Sequence, residues 1–235
     1  RKTLLGEETS ACRAVYAEGD GLPGLIADRF GDLLSVQLLT AATDRRAEWA
    51  LDALEAVHRP RGILLRNDAR ARAEEGLVRE VRTGRGSVPA EAEFTLHGLR
   101  FLADLHGGQK TGFFFDQREN YSLLRPLAPR ARVLDAFCYS GAWGLHALSF
   151  GAAHVTFCDA SEGALSLARR NAVNNFGGEA ASRAEFVAAD VLDYLRSEPR
   201  GFDLVVLDPP AYAKSRKKAA EALRGYLNLN KWGLR

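Results

Sequence analysis

The sequence predicts an α/β chain: a doubly wound parallel sheet over residues 106–235, preceded over residues 1–105 by a small α+β domain of strand-strand-helix-strand-strand type. Three observations carry this. Beyond Arg118, apolar strand segments alternate with helical ones, which is the rhythm of a parallel sheet. Those strand segments are unbroken apolar runs, as strands buried on both faces are. The earlier part has short strands gathered around turns, with one helix among them.

In chain order, Gly24 to Asp28 and Leu33 to Leu38 predict two strands around a turn at Phe30-Gly31-Asp32. Ala42 to Val57 carries Trp49, Leu51, Leu54 and Val57 at helical spacing and predicts one helix. Ile63-Leu64-Leu65 predicts a strand ended by Asn67-Asp68. Phe94-Thr95-Leu96 and Leu99 to Leu102 flank His97-Gly98 as a hairpin would. Further strands are predicted at Val133-Leu134, Val155 to Cys158, Glu185 to Ala188 and Leu204 to Leu207. Helices are predicted at Ala142 to Phe150, Glu162 to Phe176, Val191 to Arg196 and Ala219 to Leu234. Such sheets usually close with further strands, so this one is expected to be truncated at its C-terminal side.

The 235 residues are 46% hydrophobic and 26% charged, an ordinary globular balance that excludes a disordered or fibrous chain. No apolar run approaches the roughly 20 residues of a membrane span. Arg1 to Leu5 has no apolar core of a signal peptide. Cys12, Cys138 and Cys158 have neither disulfide-framework nor zinc spacing, so no metal is expected and a reducing cytoplasm is. A net charge of +2 permits an RNA partner without demanding one. Oligomeric state is not legible. Methionine is absent, so a fragment, a processed product or an incomplete sequence is expected.

The chemistry-bearing pattern begins at Val133 to Gly144, where a strand runs through a loop into a helix N-terminus. Backbone N–H groups there receive an anion. In S-adenosylmethionine that anion is the amino-acid carboxylate, and Asp135 would take the ammonium. Taken alone, the segment reads equally well as an ordinary strand-helix turn. Asp159 ends the next strand, where a carboxylate accepts ribose hydroxyls; alone it is also a helix-start acid. Asp190 ends the third, suited to an adenine amine, and alone is better read as a helix cap. Three carboxylates at three successive strand ends point to a nucleoside cofactor, because open α/β sheets bind ligands there.

Asp208-Pro209-Pro210-Ala211-Tyr212 follows the fourth strand. The prolines hold the chain rigid, and rigid carbonyls with a carboxylate suit a flat, flipped base. Gln109 to Asn120 contains three successive phenylalanines. At least two are expected in the core, and one ring is a candidate for stacking on adenine or a base. Asp116 and Glu119 form a capping pattern that predicts a helix from Gln117. Lys110 and Arg118 are candidate phosphate contacts. So is the run of Lys214, Arg216, Lys217 and Lys218, which reads about equally well as a solvated face.

Gly19 to Leu25, Gln109 to Asn120, Leu134 to Gly144 and Leu207 to Lys214 together resemble the bacterial large-subunit (23S) ribosomal RNA cytosine-C5 methyltransferases. The resemblance runs over nearly the whole chain, and Gln109 to Arg118 is its most specific part. It implies a class I, Rossmann-like methyltransferase domain. Phe137, Cys138, Tyr139, Ser140 and Gly141, with Asp135, Asp159, Asp190 and Asp208, would bind S-adenosylmethionine. Asp208, Pro209 and Pro210 would shape the cytosine site. The family's N-terminal PUA domain is not expected within this sequence, and the family's nucleophilic cysteine lies on a later strand end, so that cysteine is expected beyond Arg235. Cys12, Cys138 and Cys158 are expected to be small core residues.

Three other functions fit less of the sequence. An amino methyltransferase acting on adenine N6 or guanine N2 would place an aromatic ring directly after the prolines, where Ala211 stands. A non-catalytic RNA-binding or assembly module would need only the retained fold. A nicotinamide oxidoreductase would need G-x-G-x-x-G, which is missing after the first strand.

Overall fold

The computed structural model describes residues 6, 8–197, 201–212 and 219–235. The chain divides into two compact units, Arg1–Arg118 and Glu119–Arg235.

The first unit holds a five-stranded sheet in the order β1 (Ala11–Tyr16), β2 (Leu25–Phe30), β3 (Leu33–Leu38), β4 (Gly62–Asn67), β5 (Glu80–Gly86). Only β3 and β4 run parallel. A parallel pair needs a crossover, and α1 (Ala41–Asp44) with α2 (Ala47–His58) provides it. Thr40 caps α1, its side chain accepting from the Thr43 N–H. The single helix expected over Ala42 to Val57 is therefore two. Its apolar face also differs: Trp49 and Val57 are 72% and 67% exposed, while Leu51 and Leu54 pack with Leu34, Val36 and Leu38. Short α3 (Ala71–Glu74) follows β4. β5 reads Glu-Val-Arg-Thr-Gly-Arg-Gly, too polar to announce itself; its pairing with β4 makes it a strand.

The hairpin β6 (Glu91–Leu96) and β7 (Leu99–Asp104) forms as expected. Its Phe94 and Phe101 meet Phe30, Phe113 and Phe115 in an aromatic cluster with ring centroids 5.0–5.9 Å apart. That cluster, with Thr111 Oγ1 donating to Asp28, keeps residues 109–115 in the first unit. The division consequently falls at Arg118, later than the boundary near residue 105. The helix expected from Gln117 is a 3-10 segment, Phe115–Leu124.

The second unit alternates strand and helix: β8 (Arg132–Ala136), α4 (Ala142–Ser149), β9 (His154–Asp159), α5 (Glu162–Phe176), α6 (Glu179–Arg183), β10 (Ala184–Ala188), α7 (Val191–Ser197), β11 (Leu204–Leu207) and α8 (Ala219–Gly233). The described strands form one parallel sheet, ordered β10-β9-β8-β11. The chain steps outward from β8 to β9 and β10, then returns to the other side of β8. That reversal opens a crevice beyond the strands' C-terminal ends. The α/β class and the parallel rhythm agree with the sequence expectation.

Candidate functional site

Each parallel strand of the second unit delivers a carboxylate at or just beyond its C-terminal end: Asp135, Asp159, Asp190 and Asp208.

The loop after β8 is wound tightly. Phe137, Tyr139 and Gly141 have φ of 63°, 47° and 83°. The left-handed region costs a non-glycine residue roughly 1–2 kcal/mol, so neighbours must hold the loop. Cys138 N–H donates to the Cys158 carbonyl at 3.1 Å, and Gly141 N–H to the Cys138 carbonyl at 2.7 Å. Tyr139 N–H donates to Asp159 Oδ2 at 2.9 Å, and Asn171 Nδ2 to the Ser140 carbonyl at 3.1 Å. Gly144 lies against Phe157, where an added Cβ would stand 2.2 Å from Cε1. That close approach accompanies the reach of Gly144 N–H to Asp135 Oδ2, 2.8 Å.

Asp135 is fully buried, and its Oδ1 has no partner among the described residues. Burial pushes its pKa up to about 7; the Gly144 N–H opposes the rise, and the charges of Asp208 and Asp159 add to it. The three carboxylates thus form an electronegative cluster that a bound cation would satisfy. Asp159 accepts from Tyr139 N–H on one oxygen and Ser161 N–H on the other, each at 2.9 Å. A carboxylate oxygen has two lone pairs, so Asp159 retains capacity for two hydroxyls. Asp190 Oδ1 accepts from Leu192 and Asp193 N–H at 2.9 and 3.1 Å and so caps α7. Asp208 Oδ2 accepts from Trp143 Nε1 at 3.1 Å.

Cys12, Cys138 and Cys158 are all buried. Burial drives the Cys138 thiol far above its ordinary range and the Cys158 thiol up to about 12. Both remain protonated, unreactive thiols at neutral pH.

Lys110 and Arg118 belong to the first unit. Lys110 Nζ sits 4.2 Å from the Phe114 ring centre and 3.8 Å from Asp116. Phe113 and Phe115 are core, leaving Phe114 as the half-buried ring of the three. Lys214, Arg216, Lys217 and Lys218 lie outside the described residues. Sequence reasoning missed Trp143 as the partner of Asp208, although it stood inside the quoted motif. It also missed Asn171, whose only sequence signal is an amide on the buried face of α5 beside Ala164, Ala168 and Ala172. Among the described residues no helix is long and apolar enough to cross a membrane, and no group of His, Cys, Asp or Glu could hold a metal.

Sheet order, tight loop and carboxylate ladder define the second unit as a class I methyltransferase fold. A family model described as Conserved hypothetical protein 95 matches residues 117–234, and the chain belongs to that family. It is 38% identical over 223 residues to Ribosomal RNA large subunit methyltransferase I of Aeromonas hydrophila, covering 93% of this chain and 56% of that protein. It is also 38% identical over 228 residues to the protein of the same name from Tolumonas auensis, covering 95% and 57%. The chain thus spans little more than half the length of these curated relatives. Among solved structures it resembles SMU.776, a methyltransferase complexed with SAH, with TM-score 0.76 and 22% identity over 97% of this chain and 60% of that one. The SAM-dependent methyltransferase of Agrobacterium tumefaciens matches with TM-score 0.63 and 19% identity over 88% and 62%.

Proposed function

We propose that the chain belongs to an S-adenosylmethionine-dependent methyltransferase of large-subunit ribosomal RNA, acting in the cytoplasm and forming 5-methylcytosine. The observation that carries the cofactor is the carboxylate cluster around Asp135, with one buried oxygen lacking a partner. A ligand bearing an ammonium and a sulfonium fits that charge. Asp135 would hold the ammonium, and the first turn of α4 the carboxylate. Asp159 would take the ribose hydroxyls, Asp190 the adenine amine. Phe137, Cys138, Tyr139, Ser140 and Gly141 would wall the methionine part. S-adenosylmethionine supplies an electrophilic methyl group.

On the substrate side, Asp208, Pro209 and Pro210 would border a flipped base. Pro lacks an N–H and fixes φ, so this wall keeps its shape as the base enters. Lys110, Arg118, Lys214, Arg216, Lys217 and Lys218 would meet RNA phosphates. The RNA substrate is supported by the names of the relatives, and cytosine C5 by the resemblance of Gln109 to Asn120. Cytosine C5 is too weak a nucleophile until a thiolate adds to C6. Burial holds the Cys138 and Cys158 thiols protonated, which supports a thiolate other than these two.

Those protonated cysteines also favour a second reading, an exocyclic amine as acceptor, which requires no thiolate. One experiment separates the two. The full-length protein is incubated with large-subunit RNA and methyl-labelled S-adenosylmethionine, and the RNA is digested to nucleosides. Label in 5-methylcytidine is expected; label on an adenine or guanine amine would establish the second reading; no label in RNA would overturn both.

A further inference from the structure

The sheet of the first unit has a second face, turned away from α2. Leu25, Ala27, Val36 and Leu38 point toward the helix, so alternation sends Ile26 and Gln37, paired across β2 and β3, to the other side. Part of that face is covered by the aromatic cluster and by Arg66, which donates to the Leu105 and Gly108 carbonyls at 2.6 and 2.7 Å. The rest is a cavity of about 430 Å³ lined by Arg13, Ile26, Gln37, Asp68, Ala69 and Lys110.

Gln37 is 8% exposed, and its side chain lines this cavity. The groups around it are held in place. Asp28 fixes Arg13 through two contacts of 2.9 Å, and Arg66 fixes Asp68 at 3.3 and 3.0 Å. The lining therefore mixes donors (Arg13, Lys110, the Gln37 NH₂) with acceptors (Asp68, the Gln37 carbonyl) over an apolar floor of Ile26 and Ala69. A lone phosphate, which only accepts, would face the Asp68 carboxylate and leave the Gln37 carbonyl unused. A nucleobase with an exocyclic amine beside a ring acceptor satisfies both at once, one amine hydrogen serving the Gln37 carbonyl and the other Asp68, whereas uracil has a single ring N–H to give.

We infer that this cavity takes one unpaired, amine-bearing nucleotide of RNA, with the Gln37 amide reading the base edge and Lys110 facing the adjoining phosphate. The inference rests on the RNA-methyltransferase reading and adds a recognition point remote in sequence from the Asp-Pro-Pro loop. Unpaired bases are the usual targets of sequence-specific RNA recognition, and paired Gln contacts to adenine are a standard readout.

The test is fluorescence anisotropy with labelled single-stranded RNA hexamers of A, C or U. The parent chain should bind the A or C hexamer roughly ten- to hundredfold more tightly than U, the range one good base-edge pair provides. Gln37→Leu should lose that preference while binding the U hexamer as the parent does. Its salt dependence should be unchanged, because no charge is removed. Should Gln37→Leu fail a thermal-melt check of folding, the isosteric Gln37→Glu, which loses the donor, should also weaken A binding. A parent that does not discriminate, or folded variants that discriminate as the parent does, overturns the inference. A parent that binds no RNA at all overturns the RNA reading itself, and this inference with it.

Discussion

Trp143 Nε1 donates to Asp208 Oδ2 across 3.1 Å, tying the first turn of α4 to the loop after β11. Trp143 also stands edge-on to Tyr121, ring centroids 4.8 Å apart. One indole thus braces α4 and the first residue of the Asp-Pro-Pro segment.

Trp143→Phe keeps a ring against Tyr121 but removes the donor. A hydrogen bond to a charged group contributes about 1.5–3 kcal/mol, and this one is only partly buried. Urea unfolding should show a loss of about 1–2 kcal/mol. A midpoint within error of the parent would mean the contact contributes nothing.

Asp135 sets a pH dependence of known sign. A carboxyl whose folded pKa is raised to about 7 binds its proton more tightly in the native state than when unfolded. Stability is then highest near the unfolded value, about 4, and falls as pH rises toward 7, by up to roughly 4 kcal/mol. Asp135→Asn keeps an acceptor for the Gly144 N–H without the charge. It should flatten the pH profile between 4 and 7 and be no less stable than the parent at pH 8. A variant profile with the parent's slope would remove Asp135 as the cause.

Gly144→Ala places a methyl group 2.2 Å from Phe157 Cε1 and 2.7 Å from Cζ. Phe157 is fully buried and stacked on Phe186 at 4.8 Å, so it cannot swing away freely. Overpacking of this kind costs about 1–3 kcal/mol. Thermal denaturation should show a drop of several degrees. An unchanged melting temperature would show that the Phe157 ring yields without cost.

The second unit was largely legible because buried parallel strands are apolar runs: Leu204 to Leu207 and Val155 to Cys158 announce themselves. β5 does not, because an exposed edge strand such as Glu80–Gly86 is defined by its neighbour's backbone rather than by its own side chains. The break between α1 and α2 hid behind Trp49 and Val57, apolar residues that face solvent. Position alone revealed Asp135, Asp159 and Asp208, since each follows or ends a strand. The left-handed turns at Phe137 and Tyr139, and the bonds from Asn171 and Trp143, depend on residues distant in sequence and could not be read locally.

Calorimetric titration of S-adenosylmethionine into the parent chain and into Asp159→Ala decides whether the strand-end carboxylates form the cofactor site. Asp159 organises the site by accepting from Tyr139 and Ser161 N–H, and its remaining lone pairs would serve the ribose. Losing hydrogen bonds to this charged acceptor costs roughly 1.5–3 kcal/mol, which is about ten- to hundredfold in affinity. The parent should bind saturably, and a folded Asp159→Ala should be weakened by that much. No binding by the folded parent, or equal affinity in the two proteins, would contradict that assignment.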